Sequence, residues 1–213
     1  KDTLVESTNA PLGLAFLDKG ERFEQAVLDG FIDTVIASVN YGLGAFLEAL
    51  RQLRTEVGRE NVLFVHVTWL PYIGATGELK TKPTQHSVAA LRSIGISPNM
   101  IIARSDYPIE EDLCEKIALF CDVEKQAVIP MTTSNVLYEV PLLLERAGVG
   151  DYLVEKLGMH ATSKPDMKPW EKLVERVRKP KPTIKVALVG KYVELQDAYM
   201  SVREALKHAA LHN

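Results

Sequence analysis

Short apolar, β-branched runs recur along this chain, each separated from the next by a segment with apolar residues at helical spacing. No other feature restricts the fold as strongly. Phe31–Val39 (FIDTVIASV), Asn61–Thr68 (NVLFVHVT), Met100–Ala103 (MIIA) and Gln126–Ile129 read as strands. Helices are expected over Glu21–Asp29, Leu43–Val57, Thr84–Ile94, Glu110–Phe120, Asn135–Ala147 and Asp151–Leu157. Strands alternating with helices imply an α/β fold, a parallel sheet with helices on both faces. Ligands of such sheets bind at the carboxyl ends of the strands. The loops after Thr68, Ala103 and Ile129 are therefore where a site should open.

The character changes near Met159. Pro165, Pro169, Pro180 and Pro182 interrupt a stretch dense in Lys and Arg, which reads as a linker over 159–183 with a short helix at Trp170–Val177. Ile184–Val189 (IKVALV) then reads as a strand and Gln196–Ala210 as a helix. One β-α unit is too small to bury a core by itself. The expected organisation is a domain over 1–158, with 1–45 atypical of it, then the linker, then the start of a second, incomplete α/β domain over 184–213.

Composition narrows the partners. Net charge is −3 and charged residues make up 25% of the chain, so bulk attraction to nucleic acid or anionic lipid is not expected. No apolar run approaches a membrane span of about 20 residues, and Lys1–Asn9 lacks a signal-peptide core. A cytoplasmic protein is expected. Cys114 and Cys121 fit neither a zinc spacing nor a disulfide framework and read as reduced, partly buried thiols without a base partner.

The densest chemistry lies in Gly77–Ser87 (GELKTKPTQHS). Lys80 and Lys82 follow a strand, and Pro83 and Thr84 open the next helix, whose free N–H groups favour an anion. Two ammonium groups beside a helix N-terminus suit a triphosphate, with Gln85 in reach of a base or sugar. A solvated basic turn with an ordinary helix cap accounts for the same residues equally well. His66, alternating within an apolar strand, reads as a core histidine, and His86 as structural. Tyr138 and the leucines after it read as core, and Asp33 is a weak metal candidate.

The string KTKPTQHSV followed by LRSIGI resembles the pyrimidine-nucleotide loop of the CTP synthases. The resemblance runs on through ARSD (Ala103–Asp106), KIALFC (Lys116–Cys121), YEVPLLLE (Tyr138–Glu145) and VGKYVELQDAYMSVREALKHA (Val189–Ala209), and reaches back to FLEALRQ (Phe46–Gln52). It implies a P-loop-like amidoligase domain leading into a class I glutamine amidotransferase domain. The implied reaction makes CTP from UTP: ATP phosphorylates the uracil 4-oxygen, and ammonia from glutamine displaces the phosphate. The resemblance places UTP or CTP on Lys80, Thr81, Lys82, Pro83, Thr84, Gln85 and Lys116. It places ATP near Arg104, Thr132, Thr133 and Ser134, with Mg2+ as the accompanying ion. It further implies a homo-oligomer, a tetramer in the family. Without the resemblance, Lys116 reads as a solvated helix lysine and Arg104 as a surface ion pair with Asp106. A relative of dethiobiotin synthase is a third reading, against which KTKPTQ argues.

The chain also departs from the family pattern. Thr133 and Ser134 stand where the family usually has an Asp-Val pair. Nothing in Lys1–Asn40 resembles the glycine-rich phosphate loop, and Asn9–Leu14 (NAPLGL) reads as a turn. Ser38–Gly44 (SVNYGLG) has no carboxylate where the family carries its magnesium-binding glutamate. The glutaminase Cys, His and Glu of the family fall beyond Asn213. No catalytic residue and no metal ligand is singled out, and the chain is expected to be inactive alone. The alternative is a degenerate, non-catalytic paralogue acting as a pyrimidine-nucleotide-binding or assembly module.

Overall fold

The computed structural model describes residues 12–18, 35–38, 44–161, 163–192, 194–195 and 197–212. The expected helix Glu21–Asp29, most of the strand expected over Phe31–Val39, Asp33 and Asn9–Pro11 lie outside the described residues.

β3 (Val62–Trp69), β6 (Met100–Ser105) and β7 (Val128–Thr132) form the parallel part of a five-stranded sheet ordered β2-β1-β3-β6-β7. Val65 pairs with Met100, and Ile101 with Val128. β1 (Leu12–Asp18) lies antiparallel to β3, with Leu12 opposite Thr68, and β2 (Val35–Ser38) lies antiparallel to β1. Two reversals make β2 run in the same direction as β3, β6 and β7. The turn expected at Asn9–Leu14 is corrected from Leu12 onward, because Leu12–Leu14 belong to β1. Pro11 and Gly13 signal a turn locally, but strand pairing overrides local propensity. The strand expected at Gln126–Ile129 is β7, displaced toward Thr132 by a single 3-10 turn at Lys125–Ala127.

Helices cover both faces. α1 (Gly44–Glu56) and α2 (Lys82–Ser93) contribute Leu47, Leu50 and Leu91 to a cluster on Val62 and Phe64. α2 and α3 (Glu111–Cys121) bury Val88, Cys114, Ile117 and Cys121 against Ile101, Ala103 and Val128. On the opposite face, α5 (Val149–Lys156) and its end pack Val149, Leu153 and Leu157 on Leu63, Val65, Met100 and Ile129. Successive residues of β3 thus feed opposite cores, which is why its sequence is apolar almost throughout rather than alternating. Cys114 and Cys121 are both buried, Cys121 completely and Cys114 nearly so.

α2 stops at a Schellman motif. Ile96 N–H donates to Leu91 O at 3.1 Å and Gly95 N–H to Arg92 O at 2.9 Å. Gly95 has φ +85, and a Cβ there would lie 2.8 Å from Arg51 Cδ. α4 (Val140–Arg146) begins at Val140, later than the expected Asn135, after a 3-10 turn at Leu137–Glu139. α6 (Lys168–Arg178) contains the helix expected at Trp170–Val177, and α7 (Met200–His212) starts later than Gln196. The strand expected at Ile184–Val189 is corrected: those residues form no strand, and Ile184 and Val189 are strongly exposed. An extended apolar run gains its stability from neighbouring strands, and this run pairs with none of those described. No helix among the described residues is long and apolar enough to cross a membrane.

Candidate functional site

The loop after β3 is built as a hairpin, not the plain loop its Pro and Gly residues suggest. β4 (Tyr72–Ile73) pairs with β5 (Glu78–Leu79). Gly77 closes it with φ +66 while its N–H donates to Ile73 O at 2.8 Å. Leu70 N–H donates to Arg104 O at 2.7 Å, so this loop stays against the end of β6. Tyr72 stacks on Tyr107 with ring centroids 4.1 Å apart, joining the loops after β3 and β6. Lys80 is then fixed by its N–H to Pro71 O at 2.9 Å.

The hairpin delivers Lys80 and Thr81 directly into α2, where Lys82 is the first helical residue and Pro83 the second. Helix geometry leaves the N–H groups of Lys82 and Thr84 without intrahelical acceptors, and Pro83 has none to satisfy. Thr81 and Thr84 are buried, while Lys82, Pro83 and His86 are exposed. Gln85 Nε2 donates to Thr81 Oγ1 at 3.1 Å.

Beneath the helix start runs a buried polar chain. Thr84 Oγ1 donates to Thr68 Oγ1 at 3.0 Å, Ser87 Oγ donates to Thr84 O at 2.9 Å, and His66 Nε2 lies 2.8 Å from Ser87 Oγ. With its own proton committed to Thr84, the Ser87 oxygen accepts from His66, which puts a proton on Nε2. His66 is fully buried, in keeping with a core histidine. It fastens α2 to β3 below the loop.

Lys116 comes from α3 and its charge reaches Glu78. The Glu78 carboxyl lies below its usual range mainly because Lys80 hydrogen-bonds it, then through the Lys80 charge, with Thr76 and Lys116 adding to the shift. Lys80 thus stands directly before the helix start, and the Lys116 charge is felt at its partner Glu78. Glu78 was not anticipated. The signal was present, since residues two apart along an extended chain share a side.

The second predicted group sits at the ends of β6 and β7. Arg104 is exposed, with its guanidinium 5.8 Å from the Trp69 ring centre. Among the described residues it forms no ion pair with Asp106. Ser105 pairs with Thr132, and Thr133 N–H donates to Ser105 O at 2.8 Å. Ser134 Oγ donates to Glu139 Oε2 at 2.9 Å. Arg178 reaches the same carboxylate at 2.7 Å, and the Ser134 bond, followed by Arg178, holds that carboxyl below its usual range. Lys80–Gln85 therefore form one group after β3, and Arg104 with Thr132–Ser134 a second at the ends of β6 and β7, while Lys116 lies midway along α3. A groove of about 720 Å3 along α3 and β7, lined by Ile109, Cys114, Lys125, Val128 and Pro130, contains none of the sequence-predicted residues.

Among the described residues no group of three or more His, Cys, Asp or Glu side chains is placed to hold a metal ion.

The profile of the CTP synthase N-terminus matches residues 35–159. The chain is 58% identical over 186 residues to the CTP synthase of Dehalococcoides mccartyi, covering 85% of this chain and 34% of that protein. It is 56% identical over 185 residues to the CTP synthase of Roseiflexus sp., covering 84% and 33%. The CTP synthase of Chloroflexus aggregans is 57% identical over 184 residues, with the same coverage, 84% and 33%. The chain spans about a third of the length of these curated relatives.

Proposed function

Because the chain belongs to the CTP synthase family, we propose that Lys80–Gln85 and Lys116 form a pyrimidine-nucleotide site that takes the triphosphate of UTP or CTP. The observation that carries this reading is the hairpin after β3, which sets Lys80 directly before the start of α2 at the carboxyl end of the sheet, with Lys82 as the first helical residue. Ammonium groups and helical N–H groups offset phosphate charge where little rearrangement is needed. Gln85 lies one helical turn beyond Thr81, to which its amide donates, and is assigned to a sugar or base. The whole protein then carries out ATP-dependent amination of UTP to CTP in pyrimidine biosynthesis, a C–N bond-forming ligation that draws its ammonia from glutamine. ATP, whose transfer chemistry is accompanied by Mg2+ in this family, is assigned to the ends of β6 and β7, with Arg104 toward its phosphates and the Thr132–Ser134 turn toward adenine.

The remaining assignments follow from family membership. Residues 1–158 make up the amidoligase-like domain, 159–183 the linker, and 184–213 the opening of a glutamine amidotransferase-like domain. The protein works in the cytoplasm as a homo-oligomer, a tetramer, and uses neither nucleic acid nor membrane.

A second reading, a non-catalytic pyrimidine-binding or assembly module, is favoured by one detail. The Ser134 hydroxyl is engaged with Glu139 and Val136 rather than open to a ligand. Calorimetric titration with UTP, CTP and ATP tests the shared core of both readings. Lys82→Ala should weaken UTP and CTP binding about tenfold, the value of one charge-assisted hydrogen bond. Equal binding by wild type and variant, or ATP binding tighter than both pyrimidine nucleotides, would remove the reason for placing a pyrimidine site here. Turnover of UTP, ATP and ammonia by this chain alone, at roughly 1 per second or more, would contradict its expected inactivity in isolation.

A further inference from the structure

Within the cationic loop stands a carboxylate that the family reading does not use. Glu78 pairs directly with the Lys80 ammonium, at 57% and 39% side-chain exposure. The backbone leaves this pair little choice. Leu79, between the two, is buried in the α2–α3 core with Val88 and Ile117. The β4–β5 pairing and the Lys80 N–H to Pro71 bond fix the strand on either side. Glu78 and Lys80 therefore emerge together on the side of the strand opposite Leu79.

An ion pair this exposed adds little to the fold. Its consequence lies in the ligand, because an incoming triphosphate competes with the carboxylate for the same ammonium and is repelled by it. We propose that Glu78 is the resident counter-ion of the nucleotide loop, holding Lys80 until a triphosphate displaces it and thereby setting affinity according to phosphate charge. A weakly charged anion gains too little from Lys80 to displace the carboxylate, whereas a triphosphate engages Lys80, Lys82 and Lys116 together. The pair thus tempers the affinity of a triphosphate most and keeps Lys80 held in the free protein. This inference rests on the pyrimidine-site reading.

The test is titration of wild type, Glu78→Gln and Lys82→Ala with UTP and with UMP, at low and high salt. Urea unfolding verifies that Glu78→Gln keeps wild-type stability. Glu78→Gln should bind UTP about fivefold tighter at low salt. The gain should be smaller for UMP and should shrink at high salt. Unchanged or weaker UTP binding by Glu78→Gln, or an equal gain for UMP and UTP, overturns the counter-ion role while leaving the pyrimidine site standing. Absence of UTP binding in every form, or binding indifferent to Lys82→Ala, overturns the site and the inference together.

Discussion

At the scale of single residues, the lysine loop depends on hydrogen bonds buried beneath it. Thr84 holds the first turn of α2 through its hydroxyl on Thr68, in a region closed to water. Thr84→Val removes the donor and leaves the Thr68 oxygen buried without it. The expected loss is about 1–3 kcal/mol of stability, read by urea unfolding, and UTP affinity should fall with it as the helix start loosens. Stability and affinity equal to wild type would show that the buried chain from His66 to Thr68 does not support the loop. Of the predicted nucleotide residues, the lysines were legible as a short charged string before a helix, which local spacing reveals. Glu78 is not legible in the same way, because a carboxylate beside lysines looks like an ordinary solvated pair until its place inside the loop is seen. The Tyr72–Tyr107 stack was not legible at all, since it joins two loops that only the parallel sheet brings together.

At the scale of elements, helix α6 is tied to the turn after β7. Val174 is buried, the Trp170 indole N–H donates to Tyr138 O, and Arg178 shares Glu139 with Ser134. Glu139→Ala removes the acceptor common to both partners. Amide exchange should then accelerate severalfold in α6 and at Val136, whose N–H donates to Ser134 Oγ at 3.1 Å, while α3 stays protected. Unaltered exchange in α6 would contradict the tie. The long periodic elements were legible: α1, α2, α3 and β3 lie within a residue or two of expectation, because each buries a face its own sequence displays. β1 was hidden by Pro11 and Gly13, and it exists as a strand through its pairing with β3. Ile184–Val189 fails in the opposite sense, a strong strand pattern that joins no ladder among the described residues.

At the scale of the whole molecule, surface carboxylates set the acid response. Glu111, Glu124 and Glu78 lie below the usual carboxylate range, chiefly through hydrogen bonds from Lys125, Lys156 and Lys80, and Arg51 with Gln52 lowers Glu48 to about 2. Each depressed carboxyl binds fewer protons in the folded state than in the unfolded one. The stability they contribute is therefore present above the ordinary carboxylate pKa and lost as pH falls from there toward 2. Urea midpoints should decline over that window, and less so in high salt, because these pairs are solvent-exposed. A midpoint that rises on acidification would contradict this. The central claim, that the loop from Lys80 to Gln85 with Lys116 holds the phosphates of a pyrimidine nucleotide, is tested most directly by a crystal structure of the chain with UTP. Triphosphate oxygens should lie within about 3.2 Å of the ammonium groups of Lys80, Lys82 and Lys116, with Glu78 turned away from Lys80. Nucleotide bound instead in the groove between α3 and β7, or at the ends of β6 and β7 with Lys80 still paired to Glu78, would contradict it.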